Sequence, residues 1–144
     1  MGAAYYVVVN SDDPGFDTTV DGKALSRHQE RIDIIAGRFG FNSLDAYCSQ
    51  SPDDARVQMA DLMGLEDEFE LPLNAEESIR NMPPEQWFDP QLGLDYAKQI
   101  GDHIRENPNS VKDATAVLYD LDTMATVMTD ALERKLKWHL QVDF

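Results

Sequence analysis

The apolar positions change period several times along the chain, and each change marks an expected element. Residues 3–9 (Ala-Ala-Tyr-Tyr-Val-Val-Val) are an unbroken apolar run of mostly β-forming residues. That pattern predicts a strand buried on both faces or central to a small sheet. Asn10 to Gly22 reads as loop, because Asp12, Asp13, Pro14 and Gly15 are turn formers. A helical period then starts. Ile32, Ile35, Ala36 and Phe39 share one face, and Ser26 with Gln29 forms a capping box, so a helix is expected over 26–38, ended by Gly40. Phe41 to Cys48 fits either a single helical turn capped by Ser43 or a short strand.

Ser51-Pro52-Asp53-Asp54 is a helix start: the serine caps, the proline suits the first turn, and the acids suit the positive end of the helix dipole. The helix runs over 52–63 with Val57, Ala60, Leu62 and Met63 as its inner face, and Gly64 stops it. Residues 65–86 are irregular, broken by Pro72 and by Pro83-Pro84. Asp89-Pro90 opens a helix over 90–106 with a stripe of Leu94, Ala97, Ile100 and Ile104. Ser110 caps the longest helix, 111–136, whose stripe includes Val117, Leu121, Met124 and Met128. The last seven residues alternate strictly, with Trp138, Leu140, Val142 and Phe144 on one side and His139, Gln141 and Asp143 on the other. That is a strand with one buried face and His139 at the surface. Together these elements predict one α+β domain over 1–144. A small, mostly antiparallel sheet includes both terminal strands and one more short strand from 41–50 or 65–73, and about four helices cover it.

Charge changes the picture most. The chain holds 27 Asp and Glu against 12 Lys and Arg, a net charge of −15. Such a field repels nucleic acid and anionic membrane and attracts cationic surfaces. From Asp53 to Glu77 there are nine acids and one base, Arg56, so this stretch carries −8 of the total. The segment reads either as a solvated face or as a binding surface for a basic protein, which clustered carboxylates would steer into contact. The surface residues are Asp53, Asp54, Asp61, Glu66, Asp67, Glu68 and Glu70. Trp87 joins them as an aromatic anchor, or else staples the start of the following helix against Leu92 and Leu94.

Catalytic and metal signatures are missing from the sequence. Asp17 to Gly22 begins like a calcium loop, but its third position is Thr19 and its twelfth is His28. His28, His103 and His139 have no metal-ligand spacing, and no glycine-rich phosphate loop or nucleophile elbow occurs. Carboxylate pairs such as Asp120/Asp122 arise from composition alone in a chain this acidic. No catalytic residue, metal or cofactor is therefore expected. Cys48 is the lone cysteine, which excludes an internal disulfide and suits a reducing compartment; with no signal peptide in view, the cytoplasm is the expected location. No apolar run approaches membrane-spanning length.

The segment Trp87-Phe88-Asp89-Pro90-Gln91-Leu92-Gly93-Leu94, the helix after it, Asp120-Leu121 in a longer helix and the terminal Trp138-His139-Leu140-Gln141-Val142-Asp143 resemble small acidic bacterial proteins of unknown role, some thought to be toxin-immunity proteins. The resemblance spans the C-terminal part only, implies binding rather than catalysis, and carries over no functional residue. The expected function is thus an acidic domain engaging a cationic partner, with toxin neutralisation as the role the resemblance implies. The alternative is a small-molecule-binding or enzymatic domain with a pocket between sheet and helices, near Tyr5, Tyr6, Cys48 and His139. Self-association through a sheet edge or the long final helix stays open.

Overall fold

Strand β1 (Ala4–Val9) runs antiparallel to strand β2 (Trp138–Asp143), so the two ends of the chain meet in one two-stranded sheet. The computed structural model describes residues 3–66 and 71–143. Between the strands lie helices α1 (Lys23–Arg27), α2 (Gln29–Arg38), α3 (Pro52–Leu62), α4 (Leu73–Arg80), α5 (Pro90–Glu106) and α6 (Ala114–Glu133). The α+β class and the pairing of the terminal strands are as the periodicities indicate. The chain divides into two compact units, one of Met1–Cys48 with Trp87–Phe144, the other of Ser49–Gln86.

In the larger unit, β1 alternates: Tyr5, Val7 and Val9 are buried, while Ala4, Tyr6 and Val8 are half-buried. The strand is therefore not central to a sheet. Its unbroken apolar run reflects partial cover on the second face. The third strand expected from 41–50 shrinks to a single parallel bridge between Cys48 and Leu140, beside an antiparallel bridge between Phe88 and Trp138. No strand forms among the described residues of 65–73. Residues 44–47 instead make a 3-10 turn, with Ser43 Oγ accepting from the Asp45 amide at 3.4 Å. That turn is anchored from behind by Asp33, which accepts from Ser43 Oγ at 2.8 Å and from the Leu44 amide at 2.9 Å.

The helix expected over 26–38 is two helices that break at His28. Ser26 caps neither; it lies inside α1. The cap comes from far along the chain. Asp120 of α6, only 2% exposed, accepts from the amides of Ala24 (3.2 Å) and Leu25 (3.3 Å). A carboxylate satisfies the orphan N–H groups of a first turn and faces the positive end of its dipole. Gly22 completes this junction. Its φ is +69°, and a Cβ there would lie 1.6 Å from the Tyr5 carbonyl oxygen, so only glycine fits.

α5 and α6 form a helical hairpin that supplies the largest share of the core, including Tyr96, Ile100, Ile104, Leu121, Met124 and Met128. Gly93 lets them close on the sheet: a Cβ there would lie 2.6 Å from Met128 Sδ and 2.9 Å from the Trp138 ring. α5 begins on Asp89, whose carboxylate accepts from the Gln91 amide at 2.8 Å, as its cap-then-proline sequence predicts. α6 starts later than expected, at Ala114, because Pro108–Ser110 is a separate 3-10 turn and Val111 is extended and buried.

The smaller unit is α3 and α4 around a minimal core of Ala55, Ala60, Leu71, Ala75 and Ile79. α4 forms where the prolines suggested irregular chain, since Pro72 serves as its N-cap residue and Pro83-Pro84 fall beyond its end. Arg56 of α3 reaches Glu76 of α4 at 3.3 Å, and the Gln86 amide donates to Ser49 Oγ at 2.7 Å, bringing the ends of the unit together. α3 itself starts as read, with Ser51 Oγ accepting from the Asp54 amide at 3.1 Å.

Burial holds the Asp120 carboxyl above its usual range, outweighing the backbone amides that favour its charged form. In the unfolded chain it titrates normally, so between the two values the folded state binds more protons, and stability falls as pH rises through that window. Asp120→Ala is expected to lower unfolding free energy by about 2–4 kcal/mol, because it strands buried amides. Asp120→Asn keeps an acceptor, is expected to cost less, and removes this share of the pH slope. Urea unfolding of the three proteins across the acid range checks both; an Asp120→Ala protein as stable as its parent refutes the capping role.

Candidate functional site

α3 carries three of the carboxylates singled out from sequence on one exposed face. Its burial pattern fixes the orientation: Ala55 and Ala60 face inward, and Asp53, Asp54, Val57 and Asp61 are exposed. Val57 lies four residues after Asp53, three after Asp54 and four before Asp61, so one apolar side chain stands among three acids. Val57, Leu62 and Met63 were expected on the inner face, and the structure places them outside, Val57 at 45% and Leu62 at 70% exposure. The inner face of α3 is built instead from Ala55 and Ala60, which belong to one small core with Leu71 and with Ala75 and Ile79 of α4. Leu73, the first residue of α4, is 84% exposed.

The charges around this face are only partly compensated. Arg56 pairs with Asp53 at 3.0 Å as well as with Glu76. Asp54, Asp61 and Glu66 are exposed, and among the described residues none has an ion-pair partner. The unit of residues 49–86 has ten acids and two bases, net −8 on 38 residues. Asp67, Glu68 and Glu70 lie outside the described residues.

Trp87 belongs to the other unit, so it is not assigned to this face. It is half-buried and meets the His139 ring edge-on, with centroids 4.2 Å apart. His139 is fully buried, contrary to the surface position read from its alternation on β2. The period of the strand correctly put it opposite Trp138 and Leu140, but Trp87 covers that second face. This aromatic cover had no sequence signal, since Trp87 sits 52 positions away in a loop. The neighbouring Phe88 packs on Tyr47 (5.3 Å) and Trp138 (5.8 Å).

The residues named for an alternative pocket separate. Tyr5 and Tyr6 point to opposite faces of β1. Tyr5 donates to Asp45 Oδ1 at 2.6 Å, with Gln29 Oε1 also 2.6 Å from the hydroxyl oxygen, while Tyr6 donates to Gln141 Oε1 at 2.6 Å. Burial, then the Asp45 hydrogen bond, pushes the Tyr5 hydroxyl well above its ordinary range, so it stays protonated. Burial and the Asp45 charge push the Cys48 thiol up to about 11, which leaves almost no thiolate at neutral pH. A shallow cleft of about 350 Å³ does exist elsewhere in the larger unit, lined by Asp17, Thr19, Tyr119, Asp122, Val127 and Asp130 among others. Two of its carboxylates are already engaged, Asp122 by Arg105 and Asp130 by Arg134. Among the described residues no group of three His, Cys, Asp or Glu is placed to hold a metal ion, and no helix is long and apolar enough to cross a membrane. Comparison with known protein families, curated proteins and solved structures returns no match to this chain.

Two measurements follow from these positions. Trp87→Ala is expected to lower stability by about 2–3 kcal/mol, the cost of emptying a half-buried aromatic site; a loss under about 0.5 kcal/mol would mark Trp87 as a free surface anchor instead. Cys48 should be alkylated by iodoacetamide at pH ~8 at least about a hundredfold more slowly than free cysteine, as its raised pKa requires. Labelling at the free-cysteine rate would show an exposed, ordinary thiol.

Proposed function

We propose that this protein is an acidic interaction domain that engages a cationic protein through the exposed face of α3. The observation that carries the reading is the grouping of Asp53, Asp54 and Asp61 around exposed Val57, in a unit whose net charge is −8. Carboxylates in water speed encounter and orient a basic partner, and the apolar side chain adds buried area once contact is made. An exposed valine and leucine among acids do nothing for the unit's own core, which is built of alanines, Leu71 and Ile79.

Neutralisation of a toxin is the biological role that suits this chemistry best. A nuclease must hold polyanionic substrate in a cationic groove, and a dense carboxylate face is complementary to it. The reading is supported by charge and by the resemblance of the C-terminal part to acidic bacterial proteins, some thought to confer immunity. A lone Cys48, with no second cysteine to pair with, accords with a reducing compartment such as the cytoplasm.

The test is capture of partners from native cells with the parent protein and with Asp53→Asn/Asp54→Asn/Asp61→Asn. The parent should retain a strongly basic protein whose binding weakens at least about tenfold from low to physiological salt. The triple variant should fold normally and lose most of that binding. A partner retained equally by both proteins, or one indifferent to salt, would end this proposal.

A further inference from the structure

The exposed apolar side chains say more about the partner than the charges do. On α3, residues four apart form two parallel rows, Asp53–Val57–Asp61 and Asp54–Gln58–Leu62. At 100° per residue, the face from Val57 round to Leu62 spans about 140°, with Asp54, Asp61 and Gln58 between its two apolar edges. A groove between two such rows is the surface into which the ridge of another helix packs. The face is eleven residues long, or about 16 Å.

Resting on the interaction reading above, we infer that the partner element is a basic amphipathic helix laid along α3, its apolar residues on Val57 and Leu62 and its Lys or Arg residues on Asp53, Asp54 and Asp61. Charge complementarity selects the occupant. A wholly apolar helix would bury these carboxylates without partners, which costs several kcal/mol for each ion. A uniformly cationic chain would leave Val57 and Leu62 in water and gain only screened surface attraction. A strand rises about 3.3 Å per residue, so over about 16 Å it presents only two or three side chains to the face. A helix of about three turns presents one matching stripe. The tiny alanine core of α3 and α4 fits the same picture, because added apolar contact on the outer face reinforces a unit that has little buried area of its own.

Three fluorescent probes separate the terms, each titrated into the full-length protein at about physiological salt: a helical Lys/Leu peptide of about 18 residues, the same composition with central prolines that forbid the helix, and polylysine of equal charge. The helical peptide is expected to bind at least about tenfold more tightly than the other two. Val57→Ser/Leu62→Ser, both solvent-facing changes, should weaken it about tenfold while leaving polylysine binding unchanged. Circular dichroism and urea unfolding confirm that this variant keeps its fold. Equal binding of all three probes, or no binding of the helical one, overturns the inference. The interaction reading is judged separately: it stands if binding of a cationic probe is salt-dependent and lost in the triple Asn variant, even where the helical preference fails.

Discussion

One buried carboxylate organises the larger unit. Asp120 sits in the middle of the longest helix and closes the first turn of α1, nearly a hundred residues earlier in the chain. Around that contact Gly22 adopts a left-handed conformation and lies against the backbone of β1, whose Tyr5 amide donates to the Gly22 carbonyl at 3.2 Å. Strand, loop, first helix and last helix therefore meet at one point. A charge this deep is tolerated because backbone amides replace the water it lost. The same burial raises its proton affinity, so the anchor also makes part of the fold's stability fall as pH rises through that carboxyl's titration.

From this junction the two units diverge in physical character. The larger one closes on aromatic and aliphatic bulk, with the Tyr47 ring against those of Tyr96, Trp138 and Phe88, and Phe88 also against Trp138. Several of its polar groups are held on specific partners, as Tyr5 is on Asp45 and the Leu44 amide is on Asp33. The smaller one leaves Val57, Leu62, Met63 and Leu73 exposed while burying Leu71 and Ile79. Its interior is mostly alanine, and its exterior alternates valine, leucine and carboxylate along α3. The first arrangement favours rigidity; the second favours association with something of opposite charge and similar apolar pattern.

Local signals translated well wherever a side chain acts on its own neighbours. Ser51 and Asp89 cap the helices they precede, Gly40 and Gly64 end theirs with positive φ, and the 3.6-residue stripe of α5 is its buried face. The signals failed where a distant group outcompeted the local one. Ser26 lost its cap to Asp120, Ser110 lost its helix to an extended Val111, and His139 was covered by Trp87. On α3 the apolar periodicity pointed Val57 and Leu62 inward, but the face that meets the small core carries Ala55 and Ala60, and Val57 and Leu62 face water.

For the candidate surface the division is similar. The sequence by itself determined the composition of the stretch, its acid excess and the start of α3, since these depend on residue type and on contacts within one helical turn. Only the tertiary structure decided which of those residues share an exposed face, that Trp87 belongs with the buried His139, and that Asp120 closes the first turn of α1. The reason is physical. Charge and capping are local properties of the chain, whereas exposure is set by whatever another segment brings against it.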